Sequence, residues 1–240
     1  QLAPGTTQRS VALPAMTIPG LKFERSARLR FDATTGQFAG GTAYARVALG
    51  QTVQQDNIAV RIAQSGEMQA DFANANLTVG TLLREPIAAR VGPNGVVASG
   101  NYAYSRLQGA KLQQWLRSGS LSVDVDSAGT VTAGGALGLE VAPLSAGTLQ
   151  AQVQEGQLTG QVQVHNTNTV ALAPGKAELT TGDLSGQLQG GEQLTLQGQL
   201  GVTVTPLPGS TGTAQVGLDT ATGQFAGEVS VQTTTEAPWG

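Results

Sequence analysis

Strict alternation of apolar and polar residues governs most of this chain. Past residue 120 it runs almost unbroken, through Leu121/Val123/Val125, Leu137/Leu139/Val141, Leu149/Ala151/Val153, Leu158/Gly160/Val162/Val164, Leu184/Gly186/Leu188, Leu194/Leu196/Gly198/Leu200 and Phe225/Gly227/Val229/Val231. A period of two puts every member of a set on the same side of an extended strand, so each set predicts a strand with one buried and one solvated face. Earlier in the chain Leu29 and Phe31 oppose Arg28 and Arg30, Ile58/Val60/Ile62 and Leu77/Val79 form further sets, and Val96 and Ala98 oppose Val97 after a Pro93-Asn94-Gly95 turn. Gly160, Gly186, Gly198 and Gly227 occupy apolar positions, which predicts that another backbone or a bulky side chain comes close there.

Punctuation between the strands is that of hairpins. The phrase FDATTGQFAG at 31–40 returns as LDTATGQFAG at 218–227, with an Asp placed to cap backbone N–H groups two residues on and a Gly for the left-handed turn position. One segment breaks the period. Residues 105–118 predict a helix, with Ser105 and Gln108 as a capping box, Leu112, Trp115 and Leu116 as its apolar stripe and Gly119 as its C-terminal cap. Residues 67–75, with Met68 and Phe72 four apart, fit a strand or a short helix. The fold expected is all-β, an antiparallel meander or sandwich of repeated hairpins. Its organisation reads as an extended arm at 1–22, a basic β unit at 23–104, a connecting helix at 105–118 and an acidic, Gln/Thr/Gly-rich β unit at 119–240; a single sandwich with the helix across one end fits as well.

Composition alters what such a scaffold can be. Charged residues make up 12% of the 240 and aromatic residues 4%, against roughly 25% charged in ordinary soluble domains. Glutamine, threonine and serine fill the polar faces instead. The net charge of -3 conceals a slope along the chain. Residues 1–120 hold twelve basic and six acidic side chains, and residues 121–240 hold one and ten. Opposite ends of opposite sign suit head-to-tail association of copies. With no cysteine, disulfides and thiolate chemistry are excluded. A start at Gln1 fits a removed export leader. No run approaches the roughly 18 apolar residues of a membrane-spanning helix, and a membrane barrel would need aromatic girdles, whereas Phe225 is the single aromatic between residues 121 and 238.

Candidate chemistry is sparse. His165 is the sole histidine and lies on the polar side of its strand, with no nucleophile motif beside it. Asp124, Asp126 and Gly129 open like a calcium loop, yet Ala128 and Gly135 stand where ligands belong, so a hairpin turn is expected. Arg25, Arg28, Arg30 and Arg46, with Phe23 and Tyr44, form a candidate basic face for a polyanion. Val11, Leu13, Met16 and Ile18 form an apolar arm that can add to a sheet edge, in its own molecule or in a neighbour.

These features point to a non-enzymatic, exported structural protein of the cell envelope or extracellular space. It is expected to need no cofactor or metal and to assemble with copies of itself through β-strand contacts. The alternative is an envelope binding module for an apolar, lipid or glycan ligand. Nucleic acid is not an expected partner.

Overall fold

The computed structural model describes residues 6–11, 18–23, 27–92, 94–142, 144–173, 175–204, 210–219 and 224–233. Among these the chain is almost entirely antiparallel β-sheet, as the period of two requires. It divides into two compact units, residues 1–101 with 122–133 and residues 102–121 with 134–240.

The first unit contains β1 (Thr6–Val11), β2 (Leu21–Phe23), β3 (Ala27–Asp32), β4 (Phe38–Leu49), β5 (Val53–Ile62), β6 (Met68–Gln69), β7 (Asp71–Val79), β8 (Leu83–Gly92) and most of β9 (Gly95–Ala103). Pairing is antiparallel and local in sequence: β1 with β3, β3 and β2 with β4, β4 with β5, β5 with β6 and β7, and β7 through β9 in turn. Residues 67–75 are therefore extended, with Ala70, Phe72 and Ala75 buried. Val47, Leu49, Val53, Val60, Leu83 and Val96 have no exposed surface. The expected sides hold, since Val96 and Ala98 are buried while Val97 keeps 36% of its surface.

The first copy of the repeated phrase turns as expected. Thr34 N–H and Thr35 N–H donate to Asp32 Oδ1 at 2.8 and 2.7 Å, and Gly36 has φ +68°. In the second copy, residues 220–223 lie outside the described residues, but the flanking register is the same: Phe31 faces Phe38, and Leu218 faces Phe225. The copies diverge one step later. Arg30 pairs with Gly40, so the register slips by a residue at Ala39, whereas Gly217 pairs with Ala226 without a slip. The bulge moves Phe38 to the core side, where it packs on Ala27, Ala43 and Ile62 and meets Phe31 edge-on at 5.8 Å.

The second unit holds the short helix α1 (Ala110–Trp115) and, with their ends in the first unit, β10 (Leu116–Val125) and β11 (Val131–Glu140). It continues through β12 (Ala146–Gln154), β13 (Gln157–Asn166), β14 (Val170–Ala173), β15 (Ala177–Gln189), β16 (Gln193–Val204), β17 (Ser210–Asp219) and β18 (Gln224–Thr233). From β11 to β18 each strand is antiparallel to the next, with β14 a short addition beside β15.

The helix is shorter than residues 105–118. Tyr104–Arg106 make one 3-10 turn, Gly109 rather than Ser105 precedes α1, no side chain caps it, and Leu116 is already extended at φ -73°, ψ 137°. The strand prevails because β11 offers it a hydrogen-bonding edge that a helix would leave unpaired. Gly119 is part of that strand and not a helix cap. It takes φ +92°, and a side chain there would run into the backbone of Ala136.

Glycines at apolar positions mark close approach, as expected. A side chain on Gly186 would collide with the carbonyl of Thr195, and one on Gly198 with that of Asp183. Each also faces a leucine across the ladder: Gly160 faces Leu188, Gly182 faces Leu200, Gly186 faces Leu196 and Gly198 faces Leu184. Leucines of adjacent strands are thereby staggered, so a core poor in aromatic side chains still interdigitates.

Charge follows these units and not the halves of the sequence. The first unit holds nine basic and eight acidic residues, net +1, and the second four and eight, net -4. Arg106, Lys111 and Arg117 fall in the second unit and Asp124 and Asp126 in the first. The first unit is near neutral overall, and any basic character in it is local to one face.

Candidate functional site

The exposed face of the second unit is built from the residues between the buried ones, and strand register sets them in rows. One row crosses four strands as Gln150, Gln161, Gln187 and Thr195; the next as Thr148, Gln163, Ser185 and Gln197; a third as His165, Asp183, Gln199, Gln215 and Glu228. All thirteen are exposed, and the charges among them are confined to the third row. Adjacent strands stand about 4.8 Å apart, so each glutamine amide has like neighbours within reach of its donor and acceptor ends. Edge and face devices that keep sheets apart rely on charge, chiefly lysine. The second row has none, and the first meets charge only where Thr195 pairs with Asp219 on β17.

His165 Nδ1 stands 2.7 Å from Asp183 Oδ1, with 69% and 84% of the two side chains exposed. A carboxylate can only accept, so the imidazole N–H donates. An exposed pair of this kind contributes little to stability. It borders a groove of about 690 Å³ on the polar face, where Ala146, Thr148 and Ser185 are short and Gln163 and Gln197 stand as walls.

Beside this pair lies a residue that alternation alone does not reveal. Asn166 is fully buried, the one buried polar side chain among the described residues. Ser145 N–H donates to its Oδ1 at 2.9 Å, and its Nδ2 donates to the carbonyls of Asn168 and Thr180 at 2.8 and 3.0 Å. Ser145 Oγ in turn accepts from Thr167 N–H and Asn168 N–H. The asparagine ties the loop before β12, the turn after β13 and the bulge between Leu179 and Gly182 in β15. Its role is architectural.

In the first unit, Arg28, Arg30 and Arg46 share one sheet face, and Arg25 lies outside the described residues. Register adds Lys22, directly opposite Arg46, and Arg61, two strands from Arg28 across Thr42. Arg46 Nε lies 3.0 Å from Asp56 Oδ1, though the N–H is not aimed at the oxygen. A separate groove of about 600 Å³ is lined by Phe72, Ala89, Ala98 and Val97, with Arg90 and Asp126 at its rim. Asp126 is not a free ligand there. Its Oδ1 accepts from Ala128 N–H and Thr130 N–H, an Asx turn that holds its carboxyl below the usual range, chiefly through Thr130. Asp32 is lowered in the same manner, by Thr35 and then Thr34.

Of the arm residues, Val11 belongs to β1 and faces Ala27 of the same chain, and Ile18 bridges to Leu21. Leu13 and Met16 lie outside the described residues. No helix is long and apolar enough to cross a membrane, and no group of three or more His, Asp or Glu side chains is placed to hold a metal, among the described residues. No family model, curated protein or solved structure matches the chain.

Proposed function

We propose that this protein is a non-enzymatic, exported structural scaffold that associates with copies of itself, and that the exposed face of the second unit is the surface that does so. The observation that supports this reading is the row of glutamines Gln150, Gln161 and Gln187 in direct cross-strand register, beside an equally uncharged row. Amide ladders of this kind satisfy one another when two such faces or edges meet, with little charge to desolvate. Across β12, β13 and β15 these two rows carry no charge to repel a second copy.

Sedimentation velocity across a hundredfold range of concentration, with negative-stain images of the concentrated sample, tests the proposal. Reversible growth into oligomers or filaments is expected, and a monomer at every concentration rejects it. A second reading, an envelope module that binds a glycan, draws on the groove beside His165 and Asp183. Saturable shifts of the His165 ring signals by a neutral oligosaccharide, in a sample that stays monomeric, would favour it.

A further inference from the structure

Five of the nine cations of the first unit form a ring. Along β4 the positions on this face are Gly40, which is buried, and the half-buried Thr42, Tyr44 and Arg46; Arg30 and Arg28 flank the first two from β3, Arg61 flanks Thr42 from β5, and Lys22 flanks Arg46 from β2. Strands lie about 4.8 Å apart and alternate residues about 6.8 Å apart. Five cations therefore surround a floor of Gly40, Thr42, Tyr44 and Ala59. Arg30 leans over that floor, with Nη2 3.8 Å from the point a Gly40 side chain would occupy.

The ring is poorly neutralised from within. Lys22 and Arg46 are directly opposite, an arrangement that costs stability in a sheet. Asp56 lies beside Arg46, while Lys22, Arg28, Arg30 and Arg61 have no acidic partner among the described residues. All four are exposed. In a unit of net charge +1, Glu67 and Asp126 sit in turns, and Asp32, which ends β3 on the same face as Arg30, has its Oδ1 engaged by Thr34 N–H and Thr35 N–H.

We infer that this ring is a binding surface for an acidic polysaccharide. Four of its five cations are arginines, whose planar forks match carboxylate oxygens two at a time. The floor, small apart from Tyr44, lets a chain lie between them. A single-stranded nucleic acid would need several aromatic stacking platforms, and the ring encloses one aromatic, Tyr44. An anionic membrane would call for apolar side chains that insert, and Gly40, Thr42 and Ala59 offer none.

The test is titration of the full chain with fluorescent polygalacturonate. Binding is expected to weaken at least about tenfold between roughly 50 and 200 mM salt, by release of counterions. Arg30→Gln with Arg61→Gln should weaken it at least about tenfold at low salt, and Arg30→Lys with Arg61→Lys several-fold, because charge persists while the fork is lost. Arg84→Gln with Lys176→Gln removes equal charge elsewhere and should change affinity less than about twofold. Thermal melts of all three doubles verify folding. No binding at low salt, equal losses in both Gln doubles, or tighter binding of single-stranded DNA or anionic lipid vesicles overturns the assignment.

Discussion

The exposed face of the first unit carries Lys22, Arg28, Arg30, Arg46 and Arg61, and that of the second carries Gln150, Gln161, Gln163, Gln187 and Gln197. Both arise from the same alternation, and each covers a core of small and branched aliphatic residues. The contrast is in what each face asks of a partner. Arginines repel a like face and need anions, whereas glutamines donate and accept and so complement a copy of themselves. Substitution at the polar parity leaves the buried pattern intact, so the two faces can differ without altering the strands beneath them.

The contrast is broken most severely by giving the second face the charge of the first. Gln161→Lys with Gln187→Lys places like charges opposite each other across β13 and β15. It should abolish the growth expected in sedimentation, whereas Arg28→Gln with Arg61→Gln should leave that growth in place. If both doubles assemble equally well, the glutamine face is not the contact.

Next in size is the loss of the buried asparagine. Asn166→Leu strands Ser145 N–H and the carbonyls of Asn168 and Thr180, and should cost about 3 kcal/mol in denaturant unfolding. Gly198→Ala forces a methyl group toward the carbonyl of Asp183 and should cost about 2 kcal/mol by overpacking. Both changes lie in the second unit. A midpoint unmoved by Gly198→Ala would show that β15 and β16 can separate without loss.

The smallest effect belongs to the first unit and depends on pH. Asp32 and Asp126 have carboxyl pKa values below the ordinary one because backbone N–H groups favour the charged form. Their contribution is complete above the unfolded pKa near 3.9 and is lost as pH falls through the lower folded value. Asp32→Asn with Asp126→Asn should therefore lower the melting temperature slightly at pH 7 and flatten its fall below about pH 4, the variant and the parent converging in acid. An unchanged acid limb would assign that fall to other carboxylates.

Much of the fold was legible because alternation is a one-dimensional record of burial. Leu158/Val162/Val164, Leu184/Leu188 and Leu194/Leu196/Leu200 all lie inward, and Asp32 caps its turn as its spacing implied. Where the reading failed, a distant partner decided. Leu116, Arg117 and Ser118 are extended because β11 lies ready to pair with them, although capping and stripe signals favoured a helix. The strongly basic and acidic halves were a property of numbering, and the contrast shrank to +1 against -4 once Arg106, Lys111 and Arg117 were counted with the second unit and Asp124 and Asp126 with the first.

The sequence by itself determined that the chain forms strands, which side of each strand is buried, and where several of them turn. Tertiary structure decided which strands are neighbours, and so which polar residues share a row. The physical reason is that period two assigns a residue to a face, while register, set by turns, bulges and glycine–leucine stagger, assigns it to companions. A cation ring and a glutamine ladder are properties of companions.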